Sequence, residues 1–449
     1  MLLEFRIQNF RSFYREAVLS MLASKQRVHS EFLIVPENKS GYVLPSAVIY
    51  GANASGKTSL ILALTLIKEM VVVGNIRQTQ DNHLLSIIEL FPFIHDYQKF
   101  IKPIKFEIIF LHEGIEFTYG IEFISSLRDD ETPSERRIIS EYLIADDVQI
   151  FSRSEKGITL AKSSKALKFY KEKPKAGLLE MLEKQINENL EATDLFLSNA
   201  FKSVVNSDLA HKAIKWFAFK LSTFINFDES KFEILVSDKT PTGEIRFNNG
   251  IMQALLKHAD FGPQDVVYVI DNKENSKQKT TLRSKYYISG KPDNEAIDVL
   301  SDLFESKGTL KILKFALPFI TALENGNILV IDELDSSMHP DLIAGIIRVF
   351  NNPEINKKGA QLIFNTHNPI YLNRNLFRRD QIVFVSKDKE TFESEIYTLA
   401  DFKTFGEKAV REDERYMKNY INGKYGALPF VDFEGAVQEA LKMRSAKGV

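Results

Sequence analysis

Gly51-Ala52-Asn53-Ala54-Ser55-Gly56-Lys57-Thr58 sets two glycines, a lysine and a threonine at the spacing G-x-x-x-x-G-K-[ST]. Glycine reaches backbone angles closed to other residues, so such a segment can turn successive N–H groups inward around a phosphate. The lysine then reaches the β- and γ-phosphates, and the threonine hydroxyl ligates Mg²⁺. On this reading Gly51, Asn53, Ala54, Ser55, Gly56, Lys57, Thr58 and Ser59 meet ATP, Lys57 also serves catalysis, and Thr58 is a metal ligand. A second group complements the first: the apolar run Ile328-Leu329-Val330-Ile331 ends in Asp332 and Glu333. Asp332 is placed to hold Mg²⁺ through water, and Glu333 to orient or deprotonate an attacking water. Taken alone, two acids after an apolar run are also an ordinary strand-to-loop transition.

Two smaller signals flank that pair. Ser306-Lys307-Gly308-Thr309 opens an apolar helical pattern, and a Ser/Gly turn at a helix start is an anion site or a plain cap. Pro318 is expected to kink or shorten the helix. Thr366-His367-Asn368-Pro369 follows the apolar run Gln361–Asn365, and a histidine there can hydrogen-bond a γ-phosphate or be structural.

The elements that must position these residues show in the periodicity. Leu3, Phe5 and Ile7 alternate with polar residues, and Glu16–Met21 resumes an extended pattern, predicting a first hairpin. Ala47-Val48-Ile49-Tyr50 is continuously apolar, as in a parallel strand buried on both faces, and a helix follows from about Thr58 to Met70. Residues 105–153 read as antiparallel β. Between 160 and 226 the pattern is helical; Leu179, Leu182, Ile186 and Leu190 span only about two heptads, predicting a packed insertion rather than a coiled coil. Residues 271–292 are polar and aperiodic, predicting a long mobile loop. The division expected is 1–159, an N-terminal lobe with the phosphate loop; 160–230, a helical insertion; and 231–449, a C-terminal lobe.

Composition bounds the partners. The chain has 449 residues, which exceeds a single core, and 44% hydrophobic content fits a folded protein. With 58 basic against 60 acidic residues there is no chain-wide basic coat, although a local basic groove stays open. Lys162, Lys165, Lys168, Lys171, Lys173 and Lys175 form one basic run and six basic residues lie in 271–292; both read as nucleic-acid contacts or as solvated surface. There is no cysteine, no signal peptide and no window of 18 apolar residues, giving the expectation of a cytoplasmic protein without membrane partners.

The order of motifs, with roughly 275 residues between Lys57 and Asp332, resembles ABC-type ATPase heads of the structural-maintenance-of-chromosomes and double-strand-break-repair families. FRIQNFRSF, YGANASGKTSL, ESKGTLKIL, VIDELDSSMHP, FNTHNP and RYMKNYINGKYGALP are most similar to stand-alone ATP-binding proteins of bacterial phage defence and abortive infection, relatives of the overcoming-lysogenisation-defect ATPases. The resemblance implies an α/β P-loop NTPase of ABC-ATPase-head type with an antiparallel β subdomain and a helical insertion. It implies a nucleotide contact at Arg11, a signature turn at Ser306 and Gly308 and a coupling loop at Asp335. A switch histidine at His367 and a homodimer or higher oligomer sandwiching ATP complete the set. The role implied is a Mg²⁺-ATP switch that senses phage protein or nucleic acid and controls a separate effector, nuclease or toxin. A repair-like ATPase acting directly on DNA and an ATP-binding scaffold are the alternatives. A transporter subunit and a small-molecule kinase fit less well, for want of a membrane segment and a lid. The sequence departs from the family in lacking long heptad arms and in leaving only 82 residues after His367, too few for a Toprim nuclease. Gln98 is a weak candidate for the glutamine that meets Mg²⁺.

Overall fold

The structure is a computed structural model. It describes all residues except 38–39, 78–89, 101, 126–135, 171–173, 176, 226–242, 246–256, 258–261, 272–278, 288–295, 405–407, 410–414, 429–431 and 447–449. The first half carries β1 (Leu2–Gln8), β2 (Ala17–Ser20), β3 (Ser46–Gly51), α1 (Lys57–Val73), β4 (Ile104–His112), β5 (Ile115–Ser125), β6 (Arg136–Ala145), β7 (Val148–Ser154) and β8 (Gly157–Leu160). Then come α2 (Leu178–Asn189), α3 (Ser207–Lys215), β9 (Leu221–Phe224), β10 (Gly243–Ile245), β11 (Asp265–Asp271), β12 (Lys279–Tyr287) and β13 (Ala296–Leu300). The last third holds α4 (Lys307–Asn325), β14 (Ile328–Ile331), α5 (Pro340–Asn351), β15 (Gln361–Asn365), β16 (Ile382–Lys387), β17 (Ser394–Thr398), α6 (Tyr416–Ile421) and α7 (Phe433–Ala446).

A six-stranded sheet of order β17-β16-β3-β15-β14-β9 is the centre, parallel except where β17 pairs antiparallel with β16. Its middle strands β3, β15 and β14 are buried at every position, which is why they read as unbroken apolar runs. The period of two splits each strand between two cores. Ala47 and Ile49 face α1, behind which stands the antiparallel sheet β2-β1-β4-β5-β6-β7-β8. Val48 and Tyr50 face the other way, onto Phe315 and Phe319 of α4 and Ile343 and Ile347 of α5. Held between two sheets, α1 buries eleven residues spread around its circumference. The C-terminal lobe closes against the second face, where Tyr420 and Tyr425 pack on Phe384.

Three expectations change. The stretch after residue 160 is helical through Lys220, but its end forms β9, which pairs with β14 in the central sheet. Within 271–292, residues Lys279–Tyr287 form β12, hydrogen-bonded to β11 and β13, instead of lying in a loop. Thr280, Thr281, Tyr286 and Tyr287 are strand formers, and of the positions described Leu282 and Ser284 are buried; a serine in the second of these places blurs the apolar alternation. Pro318 does not end α4, which runs on to Asn325. Phe315, Phe319 and Ala322 anchor the helix on both sides of the half-buried proline, whose missing N–H costs one helix bond, to the Lys314 carbonyl.

Candidate active site

The phosphate loop leaves β3 where the neighbouring chain allows no side chain. A Cβ on Gly51 would lie 2.3 Å from the Val385 carbonyl oxygen of β16. Gly56, at φ +115, would bring one within 2.9 Å of Ser12 Oγ and 3.0 Å of the Phe13 ring. Both glycines are therefore required by close approach, and Gly56 also by its left-handed backbone. The loop is pinned from two distant segments. Phe10 and Phe13 are fully buried beneath it, with Arg11 N–H donating to the Phe91 carbonyl at 2.9 Å. Ser394 of β17 donates through its hydroxyl to the Ser55 carbonyl at 2.6 Å and through its N–H to the Ser12 carbonyl at 2.7 Å.

Lys57 is 5% exposed, and its ammonium donates to the carbonyls of Gly51 at 2.8 Å and Ala52 at 2.9 Å. Burial pushes its pKa down to about 8, against the pull of the Asp332 and Glu333 carboxylates. Thr58 donates its hydroxyl to Asp332 Oδ1 at 3.1 Å, joining the start of α1 to the end of β14. Burial holds the Asp332 carboxyl above its ordinary range, opposed by the hydrogen bonds from Asn365 and Thr58. Asn365 bridges the acids: its amide donates to Asp332 Oδ1, and its carbonyl accepts the Glu333 N–H. A hydroxyl beside a carboxylate is a hard oxygen donor set of the kind Mg²⁺ takes, so these residues fit the metal.

Above this pair opens a cavity of about 990 Å³. Arg11, the loop residues Asn53 to Ser59, Glu333 and His367 all line it. Burial and the nearby Lys57 lower the pKa of His367, while the three acids Glu333, Asp335 and Asp332 raise it. Burial also lowers the pKa of Arg11, whose Nε is enclosed without a hydrogen-bond partner among the described residues. Gly51 and Asp332 are not part of the cavity lining. Ser306, Gly308 and Asp335 are not in it, and neither is Gln98, which stands exposed on the short helix Tyr97–Phe100. Ser306 caps α4 by accepting the Thr309 N–H at 3.1 Å, and Asp335 accepts the Thr366 hydroxyl at 2.7 Å. Ser12, beside Arg11, also lines the cavity; sequence reasoning missed Phe91, Pro92, Ile94, His95 and Lys387, which form the rest of the wall and belong to no motif.

Of the basic run, Lys171 and Lys173 lie outside the described residues, and Lys162 is paired with Glu180 at 3.0 Å and Glu183 at 3.1 Å. Among the described residues no helix is long and apolar enough to cross a membrane, and no group of three or more His, Cys, Asp or Glu is placed to hold a metal.

Residues 46–373 match the family described as "AAA domain, putative AbiEii toxin, Type IV TA system", a span of well over half the chain. Among solved structures the chain is similar to the SMC head domain from Thermotoga maritima, with 15% identity, a TM-score of 0.38, and coverage of 88% of this chain and 98% of that one. That likeness is loose, and the fold assignment stands on the sheet order and the phosphate loop themselves. No curated protein matches.

Proposed function

Because the chain belongs to this AAA-domain family, we propose that it binds and hydrolyses Mg²⁺-ATP in the cavity above Thr58 and Asp332. The observation that carries the reading is the Thr58–Asp332 contact, which closes a complete phosphate loop onto the acidic end of the adjacent buried core of the sheet. The loop N–H groups and Lys57 hold the phosphates, Lys57 exchanging its two backbone carbonyls for phosphate oxygens. Thr58 and Asp332 hold Mg²⁺, which when bound offsets charge building on the phosphates. Glu333, on the cavity wall, orients the attacking water and takes its proton, and His367 bonds the terminal phosphate. Arg11 lies against the nucleotide.

Ser306 and Gly308 do not reach the cavity of their own chain, which supports a shared site. Two copies then face each other, each signature turn closing the other's nucleotide, with Asp335 at the crossing. We read the ATP cycle as a switch acting on a separate effector in phage defence; the support is the resemblance of the motif phrases, together with a family description that names a toxin of a toxin–antitoxin system. Salt-sensitive stimulation of turnover by DNA would favour the repair-like alternative instead.

The test pairs wild-type turnover with the mass of Glu333→Gln by light scattering, with and without Mg²⁺-ATP. Loss of the base is expected to cut turnover by about 10²- to 10⁴-fold and to trap an assembly of at least twice the monomer mass. An inert wild type, or a variant with unchanged turnover, refutes the reading.

A further inference from the structure

The turn that follows the acidic pair is gripped from two sides. Glu333 and Ser337 both have left-handed backbones, φ +50 and +63, so the segment Glu333–Ser337 that follows Asp332 is bent at each end. From β15, Asn365 accepts the Glu333 N–H and Thr366 donates to Asp335. From α4 comes a second grip. A Cβ on Gly308 would lie 2.4 Å from the Ser337 carbonyl oxygen, so the helix start rests directly on the turn. One helical turn on, Lys311 is 3% exposed and its ammonium donates to the Glu333 carbonyl at 2.7 Å and the Ser336 hydroxyl at 2.5 Å.

Burying a lysine head is costly unless its hydrogen bonds are met, and an apolar residue would fill the same space without that cost. Lys311 sits among Leu310, Ile312 and Leu313, where apolar packing was available. What distinguishes the amine is its reach to the one backbone carbonyl that belongs to the residue proposed as base.

We propose that Lys311 is a positioning residue that links the Ser306–Gly308 turn to Glu333 within one chain. Closure of that turn on a nucleotide held by a second copy shifts α4; Lys311 passes the shift to the Glu333 peptide and so sets the carboxylate of its own site. The two sites then fire together. This rests on the shared-site reading above.

The experiment uses Lys311→Met, Lys311→Arg and the milder Ser336→Ala, each compared with wild type in ATP turnover, binding of a fluorescent ATP analogue and ATP-driven mass rise in the Glu333→Gln background. Lys311→Met is expected to bind nucleotide within about twofold of wild type and to assemble. Its kcat should fall by about 10- to 100-fold, as for a misplaced catalytic group, and its Hill coefficient in ATP should drop to 1. Lys311→Arg should recover most of kcat, and Ser336→Ala should lower kcat slightly on its own and not at all on top of Lys311→Met. Wild-type kcat and cooperativity in Lys311→Met overturn the proposal, as does a loss of binding and assembly that matches the loss of kcat, since that is the mark of a merely structural lysine. Should Lys311→Met fail to fold, wild-type kcat in Ser336→Ala, or a kcat in Lys311→Arg that falls in step with its nucleotide binding and assembly, overturns it. Absence of turnover or of a mass rise in the parent proteins sinks the shared-site reading itself, a different result from the first two.

Discussion

Asn365 offers a test of the acidic pair that touches neither the phosphate loop nor the acids themselves. Its side chain is 1% exposed, and its two ends are both engaged, the amide on Asp332 and the carbonyl on the Glu333 N–H. Replacing it with alanine removes a hydrogen bond to a charged group, about 1.5–3 kcal/mol, and one between neutral groups, about 0.5–1.5 kcal/mol. Water reaches the partly exposed Glu333 N–H and recovers some of this, leaving an expected stability loss of about 2–3 kcal/mol. Asn365→Asp is the sharper variant, since it keeps the volume but turns a donor toward Asp332 into a like charge. Outer-shell partners of metal-holding carboxylates are worth about 10- to 100-fold in affinity or activity. Turnover of Asn365→Asp should therefore fall by that factor, and the Mg²⁺ concentration for half-maximal rate should rise. Binding of ATP without Mg²⁺ should stay within about twofold, because Lys57 and the loop amides are untouched. A phosphate-release assay across a Mg²⁺ titration reads the first two quantities and a fluorescent analogue the third. Unchanged turnover and unchanged Mg²⁺ dependence in Asn365→Asp would refute the claim that Asp332 and Glu333 act as a positioned pair.

Three other outcomes are expected. Lys57→Ala removes charge-assisted hydrogen bonds worth about 1.5–3 kcal/mol, so nucleotide affinity should fall by about 10- to 150-fold, read by fluorescence titration. Ser306→Arg should leave that affinity unchanged but abolish turnover and the ATP-driven mass rise; mixing it with Lys57→Ala should restore some turnover, since one hybrid interface then holds an intact loop and an intact turn. His112 is the pH probe: burial lowers its pKa from 6.5 to about 4, against Glu113, with Lys220 and Lys215 adding to the fall. A depressed folded-state pKa means the contribution is whole above pH 6.5 and is lost as pH falls toward 4, about 2 kcal/mol after allowance for partial solvent contact. His112→Asn should show a flatter loss of urea midpoint between pH 7 and 4.5 than the wild type.

What was legible in the sequence was local. The buried strand before Gly51, the helix after Lys57 and the acids after Ile331 each follow from neighbours within a few residues, as does the Ser306 cap. Contacts spanning hundreds of residues left no such trace. Ser394 holds the Ser55 carbonyl across 339 positions, and Gln361 accepts the Leu2 N–H across 359, yet neither stands in a pattern that announces a partner. Periodicity was weak at β12 because one of its two described buried positions is the polar Ser284, and Pro318 did not shorten α4, where packing of Phe319 on Phe350 outweighs one lost helix bond. Lys311 is an intermediate case: a charged residue inside an apolar helical run is visible in the sequence, but only its distance to Glu333 gives it a meaning.

The same geometry joins the acidic pair to the Ser306–Gly308 turn. The strand β14, buried at every position, leads into the turn and cannot move without breaking parallel pairs to β9 and β15. The turn it feeds is hydrogen-bonded to Asn365 and Thr366 at the end of β15 and to Lys311 of α4, and the backbone of Gly308 in α4 packs closely on it. Of these four grips, the two on β15 belong to the rigid sheet, whereas α4 packs on the sheet's outer face, and its first turn is partly open to solvent. A displacement of α4 reaches the acids through Lys311, on the carbonyl of Glu333 rather than on Asp332, which is linked instead to Thr58 of α1. On the proposed roles, the metal-holding Asp332 is tied to Thr58 and Asn365, whereas the peptide of the proposed base Glu333 is tied to Asn365 on its N–H and, through Lys311, to α4 on its carbonyl.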